Sequence, residues 1–138
     1  MIRGPPRINE VISIISSYPQ VRNKMVQLQQ AMAEQGGVVM DGRDIGTVVL
    51  PNADLKVFMV ASIEQRAERR LIELEKRGEK ISFDEVKDEI ANRDKLDSSR
   101  TASPLKKAAD ARELDTSNLS IQDQVHIIER WANEIINQ

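Results

Sequence analysis

The chain has 138 residues, of which 40% are apolar and 30% are charged, a composition typical of a soluble globular domain rather than a disordered or membrane protein. Its net charge of −2 argues against nucleic-acid binding by bulk electrostatics, and the lack of cysteine excludes disulfides and thiolate metal sites. No signal segment opens the chain and no apolar run approaches the roughly 18–20 residues that span a bilayer, so we expect a cytoplasmic protein without membrane contact.

The first third of the chain is predicted to be helical. An apolar stretch over residues 11–15 favours a short helix that ends before Pro19. Residues 21–35 carry apolar side chains at helical spacing, and Gly36-Gly37 marks the end of this second helix.

Three short segments are predicted to be strands. Residues 38–40 are apolar and follow two glycines, which is typical of a strand buried on both faces. Residues 55–60 and 111–115 are the other two, and residues 48–54 are expected to form a short extended piece and a turn. Strands that alternate with helices indicate an α/β domain with a parallel sheet.

Serine caps predict the remaining helices. Ser62 with Gln65, and Ser82 with Glu85, have the spacing of capping boxes and open helices that run to about residues 77 and 93. Ser120 caps a last helix with apolar residues at helical spacing.

The segment Asp41-Gly42-Arg43-Asp44-Ile45-Gly46 is the richest in chemistry. It follows the first predicted strand, and ligands of α/β sheets bind outside the carboxyl ends of strands. The glycines permit a tight backbone, Arg43 offers a fork for phosphate, and Asp44 offers a hydrogen-bond acceptor. We predict part of a site for a phosphorylated ligand, with an ordinary turn and surface ion pair as the alternative.

Further along, Arg93, Asp97 and Arg100 fall at i, i+4 and i+7 and share one face if their helix continues. A loop at residues 101–104, expected to be mobile, follows directly. The pattern fits a closing lid or a solvated helix with ion pairs.

The remaining candidates are less specific. An arginine cluster near the start of the helix after residue 62 either grips phosphate or forms a solvated face with nearby glutamates; it consists of Arg66, Arg69 and Arg70. His126 is the only histidine, and we interpret it as structural because no nucleophile or carboxylate partner lies near it. No metal-ligand spacing is found.

Together these motifs closely resemble bacterial cytidylate kinases, over essentially the whole chain and in the family's order. The resemblance is carried by Gly37-Val38-Val39-Met40-Asp41-Gly42-Arg43-Asp44-Ile45-Gly46-Thr47, Lys56-Val57-Phe58, Ala61-Ser62, Arg66-Ala67-Glu68-Arg69-Arg70, Arg93-Asp94…Asp97…Arg100, Ser103-Pro104-Leu105 and Asp115-Thr116-Ser117. Ser13 and Pro19-Gln20-Val21-Arg22 fit the same family's monophosphate-binding insert.

The resemblance implies phosphoryl transfer from ATP, with Mg²⁺, to CMP or dCMP in pyrimidine nucleotide metabolism. It puts Ser13, Arg22 and Asp44 on the cytosine. It puts Arg43 and Arg100 on the phosphate of CMP. Phosphoryl transfer depends on positioned cations and on excluding water more than on a strong base, which suits these residue types.

The resemblance also assigns roles to the lid and to the ATP side. Asp97 would reach the sugar and Arg93 the phosphates, so that Arg43, Arg93 and Arg100 are the expected catalytic cations. One of three arginines is expected to contact ATP: Arg66, Arg69 or Arg70.

One family motif is missing. Cytidylate kinases begin with a strand and a phosphate-binding loop of the form G-x-x-x-x-G-K-[ST], and this sequence contains no such pattern. We therefore expect an incomplete P-loop nucleoside-monophosphate-kinase fold: a parallel sheet flanked by helices, with lid helices, but without the central P-loop strand. That strand would lie between the strands predicted at residues 38–41 and 55–60.

Within this single structural domain we assign four parts. They are residues 1–35, the remainder of the insert and the following helix; 36–77, core strands and helix; 78–110, the lid region; and 111–138, the last core strand and C-terminal helix. Losing the P-loop removes a principal electrostatic element, so we expect little kinase activity from this chain alone. An unpaired sheet edge favours self-association or pairing with a missing N-terminal fragment. A non-catalytic nucleotide-binding or interaction module, or another nucleoside-monophosphate kinase, are the alternatives.

Overall fold

The computed structural model describes residue 15 and residues 18–99 and 104–137. In chain order the elements are α1 (Pro19–Ala33), a π-helical turn (Ile45–Val49), β1 (Val57–Val60), α2 (Ile63–Glu75), α3 (Phe83–Ser99), β2 (Arg112–Asp115) and α4 (Ile121–Ile136). The predicted α/β class with a parallel sheet is confirmed. Across these residues, no helix combines the length and apolar character needed to cross a membrane.

The sheet consists of β1 and β2 in parallel, with Val57 opposite Arg112 and Val60 opposite Asp115. Thr116 extends the pairing by one residue, because its backbone N and its Oγ1 donate to the carbonyl of Val60 at 2.8 and 3.0 Å. The two later strand predictions are confirmed, although the first of them begins two residues further along than expected.

The predicted strand at residues 38–40 is wrong. These residues belong to no strand, and the side chain of Val39 is fully exposed instead of buried. A strand needs a neighbour that pairs with its backbone N–H and C=O groups, and the sheet of the described residues contains only β1 and β2. An apolar run is therefore not enough to form a strand at this place.

Within residues 48–54 the predicted turn is present at residues 51–52, but the predicted extended piece is wrong. The backbone N of Val48 donates to the carbonyl of Asp44 at 2.8 Å, and that of Leu50 donates to Ile45 at 2.7 Å, which closes a π-helical turn. Gln30 of α1 donates to the carbonyl of Val49 at 3.0 Å, and Val49 itself is buried. Packing against α1 thus overrides the preference of valine for extended backbone.

Helices α2 and α3 form a hairpin with its own small core. Ala67, Leu74 and Val86 are buried there, and Ile90 is one of the partly buried residues around them. Gly78, in the connection, has a φ of 77°, a conformation that suits glycine after a helix end. Helix α3 continues to Ser99, beyond the predicted end near residue 93.

Serine caps start the later helices as predicted. Ser82 Oγ accepts from the backbone N of Glu85 at 3.3 Å, and the Glu85 carboxylate accepts from the backbone N of Ser82 at 2.8 Å. The hydrogen bonds that the Glu85 carboxylate accepts from the backbone N and from Oγ of Ser82 hold the pKa of Glu85 below its ordinary value. Ser120 and Asp123 form the same reciprocal box at α4, whereas Ser62 accepts only the backbone N–H of its helix.

Helix α4 is tied to the sheet through Arg112. The guanidinium of Arg112 donates to Glu134 at 2.7 Å and lies 5.5 Å from the ring centroid of Trp131. His126 is exposed on this helix. The short helix expected at residues 11–15 lies outside the described residues except for Ile15, and the loop at 101–104 except for Pro104.

Candidate functional site

The Asp41–Gly46 segment follows α1 and ends inside the π-helical turn, which begins at Ile45. At Gly42 a Cβ would lie 2.9 Å from Cγ1 of Ile45, so a side chain there requires the Ile45 side chain or the loop to shift. At Gly46 a Cβ would lie 3.3 Å from Cδ of Lys56, which is the far part of a flexible side chain. Glycine at residue 42 therefore permits the close approach of Ile45.

The loop presents Asp44 to α1. Nη2 of Arg22, on the first turns of α1, donates to Oδ2 of Asp44. Asp44 is buried and its backbone carbonyl accepts the bonds that start the π-helical turn. The carboxylate is therefore fixed both through its own backbone and through an ion pair.

An open cleft of about 200 Å³ lies between α1 and this loop. Val21, Met25 and Ile45 contribute apolar surface, whereas Arg22 and Asp44 contribute a guanidinium and a carboxylate. Drug-sized ligands usually occupy about 300–1,000 Å³, so the cleft suits a flat ring better than a whole nucleotide. Gln29 and Asp41 also line the cleft, so it combines apolar surface with four polar side chains.

Arg43, which directly precedes Asp44 of the cleft, contacts the end of α3. Nε of Arg43 donates to Oδ2 of Asp97 at 2.9 Å, and Nε of Arg93 lies 3.9 Å from the same oxygen. The side chain of Asp97 is only 5% exposed, whereas Arg43 and Arg93 reach solvent. A buried carboxylate therefore holds two exposed guanidinium groups close together.

The three candidate arginines of α2 each have a partner within the chain. Arg66 donates to both oxygens of Asp94 at 2.9 and 2.6 Å. Arg69 donates to Oγ1 of Thr116 at 3.4 Å and also to the carbonyl of that residue. Arg70 pairs with Glu73, three residues along the helix, at 2.9 Å.

Hydrogen bonds among Ser62, Ser117 and Asp115 link the carboxyl ends of β1 and β2. The backbone N of Ser62 donates to Oγ of Ser117 at 3.0 Å, and Ser117 Oγ donates to Asp115 at 2.6 Å. This hydroxyl and the backbone N of Ser117 hold the pKa of Asp115 below its ordinary value. The described residues contain no cluster of three or more histidine or carboxylate side chains able to hold a metal ion.

The structure thus forms two groups from the residues proposed on sequence: Arg22 with Asp44, and Arg43 with Asp97 and Arg93. Two further candidates, Ser13 and Arg100, lie outside the described residues.

Asp94 and Thr116 belong to motifs that carry the resemblance, but the sequence assigned neither of them a role. Each is the partner of a candidate arginine. For Thr116 a signal existed, since it directly follows a predicted strand. The pairing of Asp94 with Arg66 could not be predicted from local pattern, because the two residues are 28 positions apart.

Comparison with known proteins is consistent with this geometry. A family model described as cytidylate kinase matches residues 2–135. The chain belongs to the cytidylate kinase family. The resemblance inferred from the motifs is therefore confirmed.

Among its relatives, the cytidylate kinase of Bacillus cytotoxicus is 54% identical over 138 residues, which are all of this chain and 61% of that protein. The cytidylate kinases of Bacillus thuringiensis and Bacillus anthracis are each 55% identical over 123 residues, 89% of this chain and 55% of theirs. The chain therefore spans little more than half the length of these relatives.

Proposed function

We propose that this chain forms the acceptor-nucleotide part of a cytidylate kinase, which transfers the γ-phosphoryl group of ATP to CMP or dCMP. The observation that carries the proposal is the pair of partly buried Arg22 with buried Asp44 in a ring-sized cleft. Arg43, which precedes Asp44 in the sequence, forms the second pair with Asp97. Family membership supports it, because the relatives are cytidylate kinases.

The Arg22–Asp44 pair has the polarity that cytosine requires. The edge of cytosine carries an amino donor beside two acceptors, and a carboxylate accepts from such an amino group. Asp44 would accept from the amino group while Arg22 donates to a neighbouring acceptor. Uracil carries an oxygen where cytosine carries the amino group, so Asp44 would repel it. Ser13 would add a contact to the base.

Arg43 and Arg93 would hold the phosphate of CMP. Both guanidinium groups reach solvent beside the Asp97 carboxylate, and arginine binds phosphate oxygens through two parallel hydrogen bonds. Arg100 would join them. Asp97 would then accept from a sugar hydroxyl, and residues 78–110, which carry α3, would act as the lid that excludes water.

The ATP side would be shared with residues outside this sequence. The sequence contains no G-x-x-x-x-G-K-[ST] loop, and the relatives are longer than this chain. ATP with Mg²⁺ supplies the transferred phosphoryl group and the metal charge that offsets its oxygens. Among Arg66, Arg69 and Arg70, we propose the ATP contact first for Arg69, which reaches the carboxyl end of β2 through Thr116. The P-loop strand would complete the sheet.

A second candidate is a non-catalytic nucleotide-binding or interaction module. The favouring observation is exposed apolar surface: Val39 is fully exposed, and Met59 of β1 is 52% exposed. Burying such side chains against another chain would remove apolar surface from water.

Titration calorimetry of the whole chain with CMP, dCMP, UMP, AMP and ATP tests the proposal. We expect CMP or dCMP to bind at least tenfold more tightly than UMP, about the discrimination of one good hydrogen-bond pair. Absence of binding by every nucleotide would exclude both this function and the nucleotide-binding form of the alternative. Equal binding of CMP and UMP would contradict the role of Asp44.

A kinase assay tests whether the chain needs residues outside this sequence to bind ATP. With Mg²⁺, ATP and CMP, the chain alone should be close to inactive. Addition of the part of the Bacillus cytotoxicus relative that this chain does not match should raise the rate by at least 10²-fold, because a P-loop contributes positioned phosphate donors. Full activity of the chain alone would contradict this arrangement.

A further inference from the structure

Two ion pairs and a backbone hydrogen bond tie the C-terminal half of α3 to other parts of the chain. The buried cluster of the α2–α3 hairpin ends on α3 at Ile90. Beyond that residue, Asp94 pairs with Arg66 and Asp97 pairs with Arg43, and the backbone N of Leu105 donates to the carbonyl of Asp97 at 2.9 Å. The helix turn that carries Arg93 therefore lies beyond the buried cluster and next to the Arg66–Asp94 pair.

The Arg66–Asp94 pair has the geometry of a rigid joint. Nη1 and Nη2 of Arg66 donate to Oδ1 and Oδ2 of Asp94 at 2.9 and 2.6 Å, so two parallel bonds fix the direction of both side chains. Nε of Arg66 is buried and has no hydrogen-bond partner within the described part of the chain. This guanidinium is therefore committed to α3 and does not present its forked edge to a ligand.

Asp94 is next to Arg93 and three residues before Asp97, on the same helix. A change in the direction of α3 at Asp94 displaces both of these side chains relative to Arg43. Since the Asp97 oxygen lies 2.9 Å from Arg43 and 3.9 Å from Arg93, a displacement of about 1 Å would alter the spacing of the two guanidinium groups.

We propose that Asp94, through its two-bonded pair with Arg66, is a positioning residue that sets the placement of Arg93 at the nucleotide phosphate and of Asp97 at the nucleotide sugar. This inference rests on the proposed function, because the phosphate is that of the bound CMP. The pair contacts no ligand itself. Its effect is to fix the point at which α3 departs from α2.

The test compares whole-chain variants by calorimetry with CMP and by hydrogen exchange. Asp94→Asn should weaken CMP binding about tenfold and speed exchange of the amides at residues 93–99. The swapped pair Arg66→Asp with Asp94→Arg should recover CMP affinity to within about threefold of the wild type. The single variant Arg66→Lys should bind CMP more weakly than the wild type, because lysine is a point charge without the fork of arginine.

Asp88→Asn is the matched control, since Asp88 is exposed on the same helix. It should change neither CMP affinity nor exchange at residues 93–99. A merely structural role predicts lower thermal stability in Asp94→Asn with unchanged CMP affinity, and that result would overturn the proposal. Failure of the swapped pair to recover either measurement, in a folded protein, would also overturn it.

The two proposals fail in different ways. If the wild type binds no CMP, the proposed function is wrong. Hydrogen exchange then still decides whether Asp94 positions the end of α3: faster exchange in Asp94→Asn with recovery in the swapped pair supports the joint, and unchanged exchange rejects it.

Discussion

At the scale of single residues, the site depends on carboxylates that organise arginines. Asp44 holds Arg22, Asp97 holds Arg43 with Arg93 nearby, and each carboxylate is buried. Burying a carboxylate is costly unless it is paired and hydrogen-bonded, so each arginine stabilises the carboxylate that positions it. The same charges suit a ligand with an amino edge at one end and a phosphate at the other.

Substitution of Asp44 gives the prediction at this scale. Asp44→Asn should weaken CMP binding at least tenfold, because an amide can turn its NH₂ toward the cytosine amino group and no longer neutralises Arg22. It should also lower stability, by about 3 kcal/mol, since Arg22 loses its buried partner.

Calorimetry and urea unfolding measure the two effects of Asp44→Asn. Asp54→Asn, an exposed carboxylate beyond the π-helical turn, is the control and should behave as the wild type. Unchanged CMP affinity in Asp44→Asn would remove Asp44 from the binding site.

At the scale of elements, the α2–α3 hairpin is the best-packed part of the described chain. Its core residues come from both helices, and a complete capping box starts α3. The hairpin therefore presents the end of α3, and with it Asp97, from a firm base. The sheet is narrower, with two strands and an exposed Met59.

Leu74→Ala tests that base. Leu74 is 3% exposed in the hairpin core, and removal of a buried leucine side chain costs about 2–5 kcal/mol. Ile72→Ala is the matched control, because Ile72 lies on the same helix with 51% exposure and should cost less than about 1 kcal/mol. Equal losses of unfolding free energy in urea would contradict the assignment of this core.

At the scale of the whole molecule, stability should depend on acid pH through exposed carboxylates. Bonds from Ser82 lower the pKa of Glu85, and bonds from Ser120 lower that of Asp123. Lys56 lowers the pKa of Asp110 in the same way. A carboxyl whose folded-state pKa lies below its unfolded value stabilises the fold above that unfolded value, and this contribution is lost as the pH falls through the folded pKa.

The urea midpoint should therefore be nearly constant from about pH 6 to 9 and fall below about pH 4.5, where carboxyl groups of unfolded chains gain protons. Glu85→Gln keeps the capping hydrogen bonds but cannot titrate. The fall of its urea midpoint at acid pH should therefore be smaller than that of the wild type. Glu89→Gln, exposed on the same helix, is the control. A fall of the urea midpoint in Glu85→Gln as large as in the wild type would contradict the role of Glu85.

Local sequence was sufficient to predict where α2, α3 and α4 begin and which family the chain belongs to. Serine caps and glycine stops act over a few residues, so the starts of α2, α3 and α4 could be read from local pattern. The loop at residues 41–46 and its candidate ligands were likewise visible, because motif spacing is a property of the chain itself.

Features that depend on residues far apart in the chain could be seen only in the tertiary structure. Residues 38–40 have the pattern of a buried strand but no strand pairs with them in the described part, and Val49 turns helically because α1 covers it. Which carboxylate each arginine meets is also a long-range matter, since Arg43 and Asp97 are separated by 54 residues. Strand pairing and ion pairing both need a second group brought close by folding, and local sequence carries no record of its position.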